Sequence, residues 1–210
     1  MSKEKIFIYG AGGHAKVIID AISRENKYDI AFLIDDTPEN KGKSIFGHDI
    51  IGGRSELLEL RSNVSFCVVA IGDNTSREDA ANWLIDNNFT LVSIIHPNAV
   101  VGSGVKIGRG CVIMAGCIIN PDVLIGDNAI INTGSIIEHD CTIHDNVHIA
   151  PGAVICGGVV VHKNAIIGAG ASVNPGLSIG NGTIIGSGAS VVTNHGNNEI
   201  AKGVPARVQS

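Results

Sequence analysis

From Val101 to Val191 an aliphatic β-branched residue stands at every sixth position, Ile107, Ile113, Ile119 and so on through Ile179 and Ile185, sixteen in succession without an exception. Neither a 3.6-residue helix nor a plain alternating strand produces a strict six. A parallel β-helix does, because each hexad is one short side of a triangular coil and its anchor points into the prism. Four residues after each anchor the chain is mostly small or apolar, as at Cys111, Cys117, Ala129, Ser135, Cys141 and Ala153. Gly or Asn follows nine of the sixteen anchors, compact residues that suit closely spaced corners. At 18 residues per coil the hexads make about 5.3 coils, a rod roughly 25 Å tall at the strand spacing of a sheet. No insertion interrupts them, so a functional residue must be a corner residue or lie outside the repeat. A gap-free pattern of this kind agrees with the left-handed form.

The first hundred residues carry other periods. Residues 5–9 are a β-rich run, followed by Gly10-Ala11-Gly12-Gly13-His14-Ala15 and then Val17, Ile18, Ala21 and Ile22 on one helical face. A second run over Ile30–Ile34 ends at Asp35-Asp36, and a third over Phe66–Ile71 ends at Gly72-Asp73-Asn74. Thr75-Ser76-Arg77-Glu78 fits a capping box opening a helix with Ala80, Ala81, Leu84 and Ile85 inward, and Thr90–Ile95 closes the series. Such alternation predicts a Rossmann-like α/β domain with a parallel sheet, whose ligands sit beyond the carboxyl ends of the strands. Gly12, Gly13, His14, Asp35, Asp36, Gly72 and Asn74 are therefore the candidate substrate-binding residues. His96-Pro97 marks the boundary, giving an α/β domain over 1–96, a β-helix over 97–196 and a tail over 197–210.

Composition narrows the function. Fifteen basic against twenty acidic residues give a formal charge of −5 with no Lys/Arg-rich stripe, which argues against a nucleic-acid partner. No apolar run approaches the roughly 20 residues that span a bilayer, and MSKEKIFIYG lacks the apolar core of a signal peptide, so a cytoplasmic protein is expected. Five cysteines without a Cys-x-x-Cys pair argue against a disulfide framework and read as small buried hydrophobes. The glycine turn also resembles a dinucleotide fingerprint, but a dehydrogenase needs a substrate domain where this chain has a β-helix.

Taken together, Tyr9-Gly10-Ala11-Gly12-Gly13-His14, Leu33-Ile34-Asp35-Asp36, Ala70-Ile71-Gly72-Asp73-Asn74, the stretch Asn132 to Cys141 and Gly203-Val204-Pro205-Ala206-Arg207 cover nearly the whole chain. In them it resembles the hexapeptide-repeat sugar acetyltransferases of bacteria, both the sialic acid O-acetyltransferase family and the N-acetyltransferases of nucleotide-linked 4-amino-4,6-dideoxy sugars. The resemblance implies a homotrimer of left-handed β-helices, acetyl-CoA as co-substrate between neighbouring rods, and a UDP- or dTDP-linked amino sugar on the N-terminal domain. It implies His139 as general base with Asp140 orienting it, and His148 near the thioester. The chemistry suits those types: an imidazole titrates near neutral pH, and a carboxylate on its far nitrogen fixes the tautomer. Gly157, one coil beyond His139, is the expected oxyanion donor through its backbone N–H, and Pro205 and Arg207 are placed beside the CoA. His48, His144, His162 and His195 show no metal-like spacing, so no metal is expected. Sugar O-acetylation stays open, since one base serves amine or hydroxyl, as does a non-catalytic trimeric scaffold or carbohydrate-binding module, against which the His139-Asp140 pair stands.

Overall fold

A computed structural model describes residues 3–60 and 64–209. The chain divides into two compact units, Met1–Pro97 and Asn98–Ser210.

In the first unit, β1 (Glu4–Tyr9), β2 (Tyr28–Ile34), β5 (Phe66–Val69) and β6 (Thr90–Leu91) form a parallel sheet in the order β2-β1-β5-β6. Between them lie α1 (Gly13–Glu25), the hairpin β3 (Ser44–Ile45) and β4 (His48–Asp49), α2 (Arg54–Glu59) and α3 (Asn74–Asp86). The chain leaves β1 toward β2 and then crosses back to β5, so the direction of winding reverses between β1 and β5. Their carboxyl ends bound the crevice where such folds hold ligands. Gly10 sits there at φ +109°, with Ala70 O only 2.9 Å from where a Cβ would stand, so only glycine lets the two loops approach.

Three expectations are corrected. Val17 and Ile85 are exposed, because the buried stripe of α1 runs through Ala15, Ile18, Ile19, Ala21 and Ile22 and that of α3 through Arg77, Ala80, Ala81 and Leu84. The cap of α3 is Asp73, whose carboxylate accepts the Ser76 N–H, and not a box starting at Thr75. The expected strand over Thr90–Ile95 is two, with Ile94–Ile95 as β7, and α2 and the hairpin carry no strong period to reveal them.

In the second unit three parallel faces repeat every 18 residues. The first stacks Val112–Ile113, Ile130–Ile131, His148–Ile149, Ile166–Ile167, Ile184–Ile185 and Ile200–Lys202. The second runs from Val100–Val101 through Ile118–Ile119, Ile136–Ile137, Val154–Ile155 and Ser172–Val173 to Ser190–Val191. The third runs from Lys106–Ile107 through Leu124–Ile125, Thr142–Ile143 and Val160–Val161 to Ser178–Ile179. From Ile113 onward every anchor is at most 4% exposed, whereas Val101, at the open end of the prism, is 41% exposed. From Val101 to Ile185 the corners turn at the residue three after each anchor, where Gly, Asn or Asp holds φ between 59° and 75°. Small residues at that place are required by the backbone. The glycines directly after the anchors have another cause, close approach of the next coil, as at Gly168, where a Cβ would stand 2.5 Å from Ser187 N. At one corner Asn128, Asn146 and Asn164 form a ladder, Nδ2 of each donating to Oδ1 of the next at 2.8 and 2.5 Å. Residues 200–208 are not a separate tail: Arg207–Val208 pairs antiparallel with Ile200–Lys202 and extends the first face.

Candidate active site

His139 lies two residues after its anchor Ile137, at the corner between the second and third faces, with 63% of its side chain exposed. Asp140 follows at φ +60°, the left-handed corner conformation. Its identity thus has a backbone reason, shared with Asp122, and what distinguishes it is its neighbour. Asp140 Oδ2 lies 2.7 Å from His139 Nδ1. A carboxylate only accepts, so Nδ1 carries the hydrogen and, in the neutral ring, Nε2 keeps its lone pair. The hydrogen bond to Asp140 raises the His139 pKa above the ordinary value. Glu138, next to it, accepts from Asn120 Nδ2 at 2.8 Å. Gly157 occupies the coil beyond, and the His139 ring lies against it: a Cβ there would stand 2.8 Å from both Cε1 and Nε2.

His148 stands on the first face, opposite that corner in a triangular prism. The two histidines are therefore not brought together within one rod. Asn132, not singled out from the sequence, reaches His148: its Oδ1 accepts the Thr133 N–H, which turns Nδ2 toward His148 Nε2 at 3.2 Å. The signal was available, since Asn132 and His148 are two residues short of one full coil apart.

In the first unit the candidate residues separate into two groups. At the ends of β1 and β5, Gly12, Gly13 and Gly72 are exposed, and a Cβ on any of them would meet nothing within 4 Å. His14 beside them has Nε2 buried, and burial first, then the Arg77 charge, lowers its pKa to about 4, so the ring is neutral. Arg77 is 1% exposed and donates to Ile71 O at 3.3 Å, Gly72 O at 3.0 Å and Asn74 Oδ1 at 2.7 Å. Asn74 is itself buried and its Oδ1 is taken up by Arg77.

At the end of β2 the two aspartates part company. Asp35 accepts from Ala11 N at 2.8 Å, Thr37 N at 2.9 Å and Asn40 Nδ2 at 3.1 Å. Burial opposes its ionisation, but these donors outweigh it and hold the carboxyl below the usual range. Asp35 thus fastens the glycine turn. Asp36 is half exposed and accepts from Tyr9 Oη at 2.5 Å, while Arg54 Nε donates to the same phenol at 2.7 Å. Arg54 also pairs with Asp79 at 2.7 Å and lies over the Trp83 ring, 5.0 Å from its centroid. A cavity of about 350 Å³ opens here, lined by Asp35, Asp36, Lys41, Gly53, Arg54 and Glu56. Tyr9, Arg54, Asp79 and Trp83 are far apart in sequence, and no local pattern joins them.

Among the described residues no group of three or more His, Cys, Asp and Glu could hold a metal ion, and no helix is long and apolar enough to cross a membrane. Pro205 and Arg207 are exposed beside the last strand pair, Arg207 Nη1 donating to Ala206 O at 2.9 Å.

Residues 5–84 match the PglD N-terminal domain, and residues 122–157 match the bacterial transferase hexapeptide of six repeats. PerB from Caulobacter crescentus, solved with CoA and GDP-perosamine, is 39% identical, with coverage of 100% of this chain and 99% of that one and a TM-score of 0.94. The acetyltransferase domain of PglB from Neisseria gonorrhoeae, solved with acetyl coenzyme A, is 30% identical, with coverage of 99% and 100% and a TM-score of 0.91. A UDP-N-acetylbacillosamine N-acetyltransferase of Bacillus subtilis is 37% identical over 116 residues, 53% of this chain and 52% of that protein. The chain thus matches about half the length of that curated relative. With an α/β unit of the PglD type and an uninterrupted hexapeptide β-helix, matched from end to end by the Caulobacter and Neisseria structures, the chain belongs to the hexapeptide-repeat family of bacterial nucleotide-sugar acetyltransferases.

Proposed function

We propose that the chain is an acetyl-CoA-dependent N-acetyltransferase acting on the amino group of a nucleotide-linked amino-dideoxy sugar. The observation that carries the reading is the His139–Asp140 pair, 2.7 Å apart on an outward corner of an otherwise structural repeat. The free sugar amine attacks the thioester carbonyl carbon of acetyl-CoA. His139 Nε2 takes the proton that the nitrogen sheds as the N–C bond forms. The C–S bond then breaks, the CoA thiolate leaves, and the proton passes to it, giving the amide and CoA thiol. Asp140 keeps the hydrogen on Nδ1 and stabilises the imidazolium. The backbone N–H of Gly157 serves the developing oxyanion, and His148, held by Asn132, serves the thioester end of the co-substrate, with Pro205 and Arg207 beside the CoA.

The nucleotide belongs to the first unit. Gly12, Gly13 and Gly72 leave open backbone at the strand ends, and Asp36 with Arg54 lines the cavity beside them. The full-length likeness to a protein solved with GDP-perosamine adds GDP sugars to the UDP and dTDP sugars expected from sequence.

The reading includes a homotrimer, and the arrangement of outward apolar residues supports it. Outward residues of the second face, Val100, Ile118, Ile136 and Val154, and of the first, Ile166, Ile184 and Ile200, form aliphatic rows flanking one corner. Three rods packed about that corner set the second face of one against the first face of the next. His139 on the outer rim of one rod then meets His148 of its neighbour. The free cysteines agree with a reducing cytoplasm.

The test is acetyl transfer to a panel of GDP-, UDP- and dTDP-linked amino sugars and free sialic acid, with His139→Ala beside the wild type. Turnover of a nucleotide amino sugar that is lost in the variant supports the reading. Turnover of sialic acid alone establishes O-acetylation, and turnover of nothing leaves the scaffold.

A further inference from the structure

The corner residue two after each anchor is the position His139 occupies. Across sixteen hexads that position holds Ser103, Arg109, Ala115, Pro121, Asp127, Thr133, His139, Asp145, Pro151, Gly157, Lys163, Ala169, Pro175, Asn181, Ser187 and Thr193. Gly157 is the single glycine among them. The backbone does not ask for it: the positive φ of this corner belongs to the next residue, Gly158 at +68°, and Gly157 is not in the left-handed region. Nor does the neighbouring coil crowd it, as happens at Gly168. The three atoms nearest to a Cβ placed on Gly157 are Cε1, Nε2 and Nδ1 of His139, at 2.8, 2.8 and 3.3 Å. Contacts under 3.0 Å are closer than packed carbon atoms tolerate, so one of the two must move. The histidine is the free end of a side chain on an open corner, and the coil is fixed by its ladder, Gly158 N donating to His139 O at 3.0 Å. The ring moves.

We infer that Gly157 is a positioning residue: its missing side chain is the seat in which the His139 ring lies, with Nδ1 on Asp140 and the Cε1–Nε2 edge against the glycine. This rests on the reading of His139 as the base, and it adds to the backbone N–H role of Gly157 one that the N–H cannot supply. A methyl group at 157 costs the fold little and the reaction much, because a displacement of the order of 1 Å in a catalytic group lowers rates by up to about 100-fold.

Gly157→Ala keeps the backbone N–H and fills the seat, which separates the two roles. The expected result is an unchanged unfolding midpoint and oligomeric state, kcat lower by roughly 10- to 100-fold, and both KM values within about twofold. The His139 ring, followed by NMR titration, should lose its elevated pKa as the Asp140 contact opens. In a His139→Ala background Gly157→Ala should cost nothing further, since no ring is left to displace. An unchanged His139 titration in Gly157→Ala overturns the inference, and so does a further tenfold loss in the double variant. The NMR readout is independent of the base assignment, which fails separately if His139→Ala retains wild-type kcat.

Discussion

The two units of this chain reach specificity by opposite routes. In the β-helix every coil copies the last, and candidate functional residues stand out as departures from a rule: a histidine on a corner, a glycine where other corners carry side chains. In the α/β unit there is no rule to depart from. Its candidate pocket is lined by Asp36 and Arg54, and these are held by Tyr9, Asp79 and Trp83, which meet them only because the strand order β2-β1-β5-β6 brings them together. The difference predicts that substitutions at the corner change rates without touching stability, whereas substitutions at the strand ends change binding and stability together.

The strongest test is His139→Ala, expected to lower kcat by about 10²–10⁴-fold with KM for both substrates nearly constant and the melting temperature unmoved. Asp140→Asn should cost less, since the proton acceptor remains. A general base acts in its unprotonated form and Asp140 raises the pKa of His139, so under the proposed mechanism the acidic limb of the pH–rate profile should move to lower pH in that variant.

Arg77→Met should show the other behaviour. It leaves the carbonyls of Ile71 and Gly72 and the amide of Asn74 without their buried donor, at a cost of about 3 kcal/mol. Trp83 is the one tryptophan of the chain and lies in α3, so urea unfolding followed by its fluorescence reads this unit directly. A loss under about 1 kcal/mol would mean that the strand ends are not organised by the buried charge.

His14 supplies a pH test of the same unit. Its pKa is about 4 in the folded chain against an ordinary 6.5, so on acidification the unfolded chain takes up the proton first. Stability should be full above pH 6.5, fall as the pH drops toward 4 and level off below that, by up to about 3 kcal/mol. His14→Gln should flatten that slope in the Trp83 signal.

Asp36→Ala should raise the nucleotide-sugar KM by roughly 5- to 150-fold, the range for losing a hydrogen bond in a polar pocket, and leave that for acetyl-CoA alone. Asp35→Ala should destabilise the unit as well, because Asp35 holds the turn at Ala11. Equal effects of the two on stability would erase the distinction drawn between them. The smallest effect belongs to the last residues: removing 203–210 should raise the acetyl-CoA KM by about fivefold, as suits one exposed charge contact. An unchanged KM removes Arg207 from the CoA site.

What could be read in advance follows the same division. The hexad anchors, the corner place of His139 and the parallel α/β sheet were legible because each is a local period, and a chain that repeats every 18 residues carries its tertiary contacts in its own spacing. The α1 and α3 faces were legible only roughly, since the stripe each helix buries is fixed by the sheet beneath it and Val17 and Ile85 fall at its edge. Asp73 is masked as a cap because Thr75-Ser76-Arg77-Glu78 imitates one two residues later.

By itself, then, the sequence determined the β-helix, its register and the corner place of His139, because repeated short-range spacing leaves one way to stack the coils. Tertiary structure alone decided that Asp35 fastens a turn while Asp36 lines a cavity, that Arg77 is buried among carbonyls beside a neutral His14, and that His139 and His148 stand on opposite sides of one rod. Each of these depends on which distant groups share a hydrogen bond or exclude water, and that information is not carried by any period along the chain.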